Sequence, residues 1–291
     1  MKFHLPAIAS SLLLGAALSA IQPGNFFIGW LIFSFLFLLS FYALRFTHHW
    51  STGGRALAWA LALAFLLRLA LGATFYLALP LNPDAGEDHR AGYIFTDAYR
   101  RDAQAWDLAH SGQPIWEAFN KNYYSDQYGG MLAINTAAYL LFSDAHRPLL
   151  PILLAALMAA LGLPFLWKSA SHLWGERIAL FAIWLYALYP ESILLGSSQM
   201  REPFLMTFMA MALWGFVARF SPSQEQNESS RGADWKSAML WLALGFLGML
   251  LISPAIALLT LILFIGWMWV QREHGRVSWV ALLATGLIFV A

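Results

Sequence analysis

Two carboxylates, Asp97 and Asp102, stand five residues apart in the segment TDAYRRDAQAWDLAHSG, residues 96–112. A carboxylate fixed near a substrate can take a proton from a hydroxyl as a general base. A second polar stretch, SSQMREP at 197–203, carries Arg201 and Glu202. The planar guanidinium of Arg201 suits paired contacts to phosphate oxygens, and Pro203 suits the first position of a following helix. The free amides and dipole at such a helix start favour an anion. A base at one place and an anion holder at the other are what the displacement of a phosphate leaving group needs. Arg100 and Arg101 are alternates for the cation. The bland alternatives are a solvated helix whose charges keep a loop wet, and an arginine that snorkels to lipid headgroups.

The elements that would position these residues are apolar. The chain has 291 residues, 60% hydrophobic and 11% charged. Soluble domains carry about 25% charged residues, so the deficit points to a multi-pass membrane protein. Net charge is +1, which gives no reason to expect nucleic acid as a partner. With no cysteine, disulfides, thiolate metal sites and cysteine nucleophiles are excluded. No repeat of fixed period is present.

A bilayer crossing needs about 17–25 residues. Apolar runs of that order lie at 5–22, 26–44, 56–79, 148–167, 178–196, 203–220, 237–253, 254–270 and 277–291. Pro254 splits one long run in two, because proline breaks the helix ladder. Residues 1–22 carry features of a signal peptide, but the short turn Gln22-Pro-Gly-Asn25 before the next run favours a retained hairpin. The expected organisation is an N-terminal hairpin and inner loop at 1–55, a core at 56–220 with an outer loop at 80–147, and an inner linker with further spans at 221–291. The last run is cut off at Ala291.

The stretch Gly130–Ser143 is too short to cross, and charge agrees. If it stays on one side, Lys2, Arg45, Arg55, Lys168, Arg177, Arg219, Arg231, Lys236, Arg272 and Arg276 lie inside. Only Arg90, Arg100, Arg101, Lys121, Arg147 and Arg201 then lie outside. A crossing would reverse the balance, against the positive-inside rule. The outer loop and the 197–203 turn therefore share the non-cytoplasmic face. Segment 80–129 holds Asp84, Glu87, Asp88, Asp97, Asp102, Asp107, Glu117 and Asp126, half of the sixteen acids.

Within it, Thr96 is placed to cap a helix over 97–110, which Ser111-Gly112 and Pro114 then stop. Tyr99, Ala103 and Trp106 fall on one face, with Asp102 beside them, as in a helix lying on the membrane surface or on the bundle. Arg68 sits in the middle of a span, where an ionisable group is costly, and Glu191 is its expected partner. His48-His49 lacks a nearby acid for a metal site. Ser197-Ser198 lacks a histidine within sequence reach. Gly53-Gly54 and Gly129-Gly130 are isolated pairs rather than phosphate loops.

The order of these parts, a span, a long outer loop with an acidic helix, SDQYGG at 125–130, and ALYPESILLGSSQMREPF at 187–204, resembles the polytopic GT-C glycosyltransferases. The bacterial members related to protein mannosyltransferases and aminoarabinose transferases are the nearest in plan. The resemblance covers roughly residues 56–220. It implies a GT-C-like all-α transmembrane bundle with interfacial helices in its first outer loop. It also implies an inverting transfer from a polyprenyl-phosphate sugar donor, with Asp102 or Asp97 as the catalytic acid site. The chain departs from the family in having no glutamate after either aspartate, and Tyr128-Gly129-Gly130 where many members have a proline-rich turn. The acceptor would be a glycan, lipid or protein, and the setting a bacterial inner or plasma membrane. Arg201 would face the leaving phosphate, and Tyr99, Trp106 and Tyr128 would either stack on the sugar or anchor the loop at the membrane interface. A divalent metal, Mg or Mn, could share that phosphate's charge, but no cofactor is required by the pattern, since two aspartates five apart do not specify a metal. The rival classes are a transporter, flippase or scaffold, and a lipid-linked polymer ligase.

Overall fold

A computed structural model describes residues 4–82, 84, 86–121, 123, 126–220 and 228–274, the side chains of 228–235 and 271–274 excepted. Among these residues all regular structure is helical. The helices α1 (His4–Ala20) and α2 (Phe26–Ser51) form a hairpin. The Asn25 side chain caps α2 by accepting from the amides of Phe27 at 2.9 Å and Ile28 at 3.2 Å. The helix α3 (Arg55–Ala78) continues into a 3-10 turn at Leu79–Leu81. The following loop holds α4 (Glu87–Arg90), α5 (Thr96–His110), a 3-10 turn at Ile115–Phe119, and α6 (Gly130–Phe142). Then come α7 (Leu149–Trp174), α8 (Glu176–Leu188), α9 (Pro190–Gly196), α10 (Glu202–Phe220), α11 (Glu228–Ile252) and α12 (Pro254–His274).

Four helices, α2, α3 with its 3-10 extension, α7 and α10, are long and apolar enough to cross a bilayer. A fifth candidate is α8 with α9, bent by 54°. The architecture is thus that of a multi-pass helical membrane protein with four to five candidate spans among the described residues. The runs expected at 5–22, 237–253 and 254–270 are also helical, over His4–Ala20, Lys236–Ile252 and Pro254–Val270. Pro254 ends the α11–α12 run as expected, since it cannot donate to the preceding turn. The run at 277–291 and the linker residues 221–227 lie outside the described residues, as do Lys2, Arg276 and the side chains of Arg231 and Arg272.

Hydrogen bonds fix which turns share an end of the bundle. The Leu149 amide donates to Gln22 Oε1 at 3.0 Å, and Arg147 Nη2 donates to the Asn25 carbonyl at 3.1 Å. Gln199 Nε2 donates to the Pro148 carbonyl at 3.0 Å. The start of α6 packs on Leu251 at the end of α11. So the 21–25 turn, the 79–148 loop, the 197–201 turn and the α11–α12 turn lie together. At the other end, Lys168 Nζ stands 4.7 Å from the ring centres of both Trp50 and Trp214. Both termini of α6 are on the first end.

The core centres on α7, which packs against α2, α3, α8 and α10. Small residues set the close approach of α10 and α11, where a Cβ on Gly215 would meet Leu242 N and Ala238 O. The Gly129-Gly130 pair has a similar purpose. Gly129 is left-handed with φ 78°, and a Cβ on Gly130 would overlap the Leu251 carbonyl oxygen. Backbone cannot yield as a flexible side chain does. Gly130→Ala is therefore expected to destabilise the fold by about 1–3 kcal/mol, the usual range for overpacking. A lowered unfolding temperature of the detergent-solubilised variant would register it.

Arg68 is fully buried, but its expected pairing with Glu191 is overturned. Glu191 is exposed and accepts from Tyr189 Oη at 3.2 Å. Arg68 instead donates to the carbonyls of Ala64, Tyr186, Ala187 and Ser192 and to Ser192 Oγ, over 2.8–3.3 Å. The cause is Pro190, which has no amide to donate back to Tyr186. The break between α8 and α9 exposes carbonyls, and the five N–H groups of a guanidinium can bind several at once.

Candidate functional site

The helix α5 carries most of the site, and its buried face differs from the expected one. Ala98, Arg101, Asp102, Ala105 and Leu108 are buried, while Tyr99, Ala103 and Trp106 are half-buried. Asp102 lies inside the buried stripe, not beside it. The shift arises because α5 packs on α6 and the 115–119 turn, burying two ionic side chains among small apolar ones. Thr96 is not the N-cap. Phe95 holds that position, and Thr96 Oγ1 donates to Asp88 Oδ2 at 2.5 Å. That bond is the first cause holding the Asp88 carboxyl below its ordinary value.

The Asp102 carboxylate has no exposed surface. It is bonded to Tyr93 Oη, to Tyr139 Oη at 2.6 Å, and to His146 Nε2 at 2.6 Å. A carboxylate only accepts, so all three partners donate. Donation to Asp102 places a proton on Nε2, so in the neutral ring Nδ1 is the acceptor nitrogen. Burial first, and then the Asp102 charge, push the Tyr93 and Tyr139 phenols well above their ordinary range and keep them as donors. The His146 side chain is 36% exposed, so it is the face of this cluster that a substrate would meet. Its ring lies 5.4 Å from Trp106 and 5.6 Å from Tyr139.

A second polar cluster is built on the preceding residue of α5. Arg101 Nη1 donates to the Gln199 carbonyl at 2.8 Å, joining α5 to the 197–201 turn. Burial draws the Arg101 guanidinium below its ordinary value, while Asp126 and Glu202 oppose that shift. Arg201 stands at the start of α10, where its carbonyl accepts from Phe204 and Leu205 at 3.1 Å each. Its Cζ is 5.9 Å from the Tyr128 ring centre, and its Nε is 3.7 Å from Glu202 Oε1. Arg101 Nε, Asp126 Oδ1 and Glu202 Oε2 are buried without a hydrogen-bond partner among the described residues. Pro203 is the second helical residue of α10, after Glu202.

The structure thus brings together Arg101, Arg201, Glu202 and Tyr128, and separately Asp102 with Trp106. Asp97 and Arg100 are exposed on the first turn of α5. Tyr99 Oη donates to Glu87 Oε1 at 3.1 Å and is half-buried, so its hydroxyl is used inside the loop. Among the described residues no group of three or more histidine, aspartate or glutamate side chains is arranged to hold a metal ion. His146 was missed by the sequence reading. Its only signal was a polar SDAHR stretch, 143–147, ahead of an apolar run, and its partner is 44 residues away. Comparison of the chain with protein-family models, with curated proteins and with solved structures gave no match, so the functional reading rests on this geometry and on the sequence resemblance.

Proposed function

We propose that the chain is a membrane glycosyltransferase that moves a sugar from a polyprenyl-phosphate donor to an acceptor hydroxyl at the outer face. The observation that carries this reading is the Arg101–Gln199 bond. It ties the acidic helix to the cationic turn, so an acid site and a phosphate-binding site are built on one outer layer. The Asp102 cluster activates the acceptor hydroxyl. Arg201, at the start of α10, meets the charge that develops on the leaving lipid phosphate, and the dipole of α10 adds to it. The donor's polyprenyl tail stays in lipid beside the spans. The GT-C-like plan of the bundle and the bacterial inner-membrane setting belong to the same proposal.

The residue that a transport reading would use is Arg68, and it is committed to helix carbonyls. That favours interfacial chemistry over passage through the membrane. The test is transfer itself. Protein in lipid nanodiscs, given polyprenyl-phosphate sugars and a mixture of glycan, lipid and peptide acceptors, is expected to release polyprenyl phosphate. Arg201→Ala is expected to weaken donor binding about tenfold or more, the scale of losing one charge-assisted bond of about 1.5–3 kcal/mol. Unchanged donor affinity would reduce Arg201 to a headgroup anchor, and no release with any donor would remove the reading.

A further inference from the structure

The Asp102 cluster leaves open which atom takes the acceptor's proton, and its geometry answers this. Asp102 is sealed, with every contact used by protein donors. The exposed member is His146, held by one ring nitrogen and flanked by Trp106 and Tyr139. We infer that His146 is the catalytic base and that Asp102 is a positioning residue acting through it. The inference rests on the sugar-transfer reading, but it concerns an atom that reading does not name.

The chemistry follows the pattern in which a buried carboxylate fixes the tautomer of a histidine and steadies the imidazolium that forms. Asp102 holds the proton on Nε2, and Nδ1 takes the proton from the acceptor hydroxyl. The freed oxygen bonds to the anomeric carbon. The bond from that carbon to the phosphate oxygen breaks, and its electron pair leaves with the polyprenyl phosphate. The imidazolium then gives its Nδ1 proton to water. Asp102 is the charge on α5 that faces the ring, with Trp106 from the same helix and Tyr139 from α6 beside it. Tyr93 reaches the ring only through Asp102. On the histidine's own segment, Asp144 is paired with Arg147 Nη2 at 3.1 Å. Neither of those charges is needed for the step. Trp106, as a flat apolar wall, orients the acceptor or the sugar ring against the imidazole.

A histidine at the edge of the cluster is removable without emptying the core, which makes the inference testable. His146→Ala is expected to lower kcat at least 100-fold, the scale of a lost general base, with KM for the donor changed by less than threefold. Added imidazole is expected to restore part of that loss, which a packing role would not allow. Asp102→Asn keeps an acceptor for the phenols but removes the charge. It is expected to lower kcat about 10-fold or more, and imidazole is not expected to rescue it. His146→Ala with full kcat, or without rescue, overturns the inference while leaving sugar transfer intact. A second readout needs no sugar. Diethyl pyrocarbonate acylates a free, accessible imidazole nitrogen, and site-resolved mass spectrometry on the full chain reports which histidine reacts. Acylation of His146 that slows in Asp102→Asn supports the inference even if no donor is turned over. An unreactive His146, or a rate indifferent to Asp102, overturns it on its own.

Discussion

Asp102→Ala is expected to loosen the whole 79–148 loop before any chemistry is measured. The substitution removes the acceptor of two buried phenols and one imidazole. Tyr93 is 5% exposed and Tyr139 is wholly buried, so neither hydroxyl has water to replace the carboxylate. An orphaned buried donor costs about 1–3 kcal/mol, so two phenols alone imply a loss of roughly 2–6 kcal/mol. The imidazole adds little, since it can turn toward solvent. The effect is legible as proteolysis of the 79–148 loop and as a lower unfolding temperature in detergent. Adding Tyr93→Phe and Tyr139→Phe to Asp102→Ala removes the orphaned hydroxyls and is expected to recover part of the loss, a non-additivity that identifies the cause. A stable, protease-resistant Asp102→Ala would show that the cluster does not hold the loop together.

This network also marks where sequence reading ran out. The apolar helices were legible because a bilayer demands long uninterrupted hydrocarbon. Pro254 and the start of α7 were placed within a residue or two on that basis. The short stretch read at 130–143 is one short helix, since its 13 helical residues reach only about 20 Å. The helix α5 was placed at nearly the right bounds by its stop signals. Its inward face was not, because periodicity counts a charged residue as outward, and here Arg101 and Asp102 point inward to bonds made by distant segments. Asp102 finds partners 9, 37 and 44 residues away. No local pattern encodes such distances. The 197–203 turn was legible as polar and as the approach to a helix. That it meets α5 through Arg101 depends on how α7 and α10 pack, which hydropathy does not carry.

Arg68 supplies the second large effect, and it separates two physical accounts of one buried charge. If Glu191 held it, neutralising either residue would damage the bundle. The bonds run instead to four carbonyls and a serine hydroxyl, so Glu191→Gln is expected to leave the unfolding temperature unchanged. Arg68→Met fills similar space without donors. It strips bonds from carbonyls already deprived of a helical partner at the α8–α9 break, around a fully buried side chain. At about 1–3 kcal/mol for each orphaned group, two such carbonyls cost roughly 2–6 kcal/mol. Arg68→Lys keeps the charge but offers three donors on one nitrogen in place of a planar fork, so it is expected to recover only part of the loss. The turn at 197–201 follows α9 directly, and Gly196 packs against the Arg68 side chain. Disturbing Arg68 should therefore displace Gln199 and with it the anchor of Arg101. Arg68→Met is expected to weaken donor binding as well as stability, although Arg68 is itself fully buried. A variant with wild-type stability would mean that the break is held by other contacts. Lost stability with intact donor binding would mean that the 197–201 turn keeps its place without Arg68.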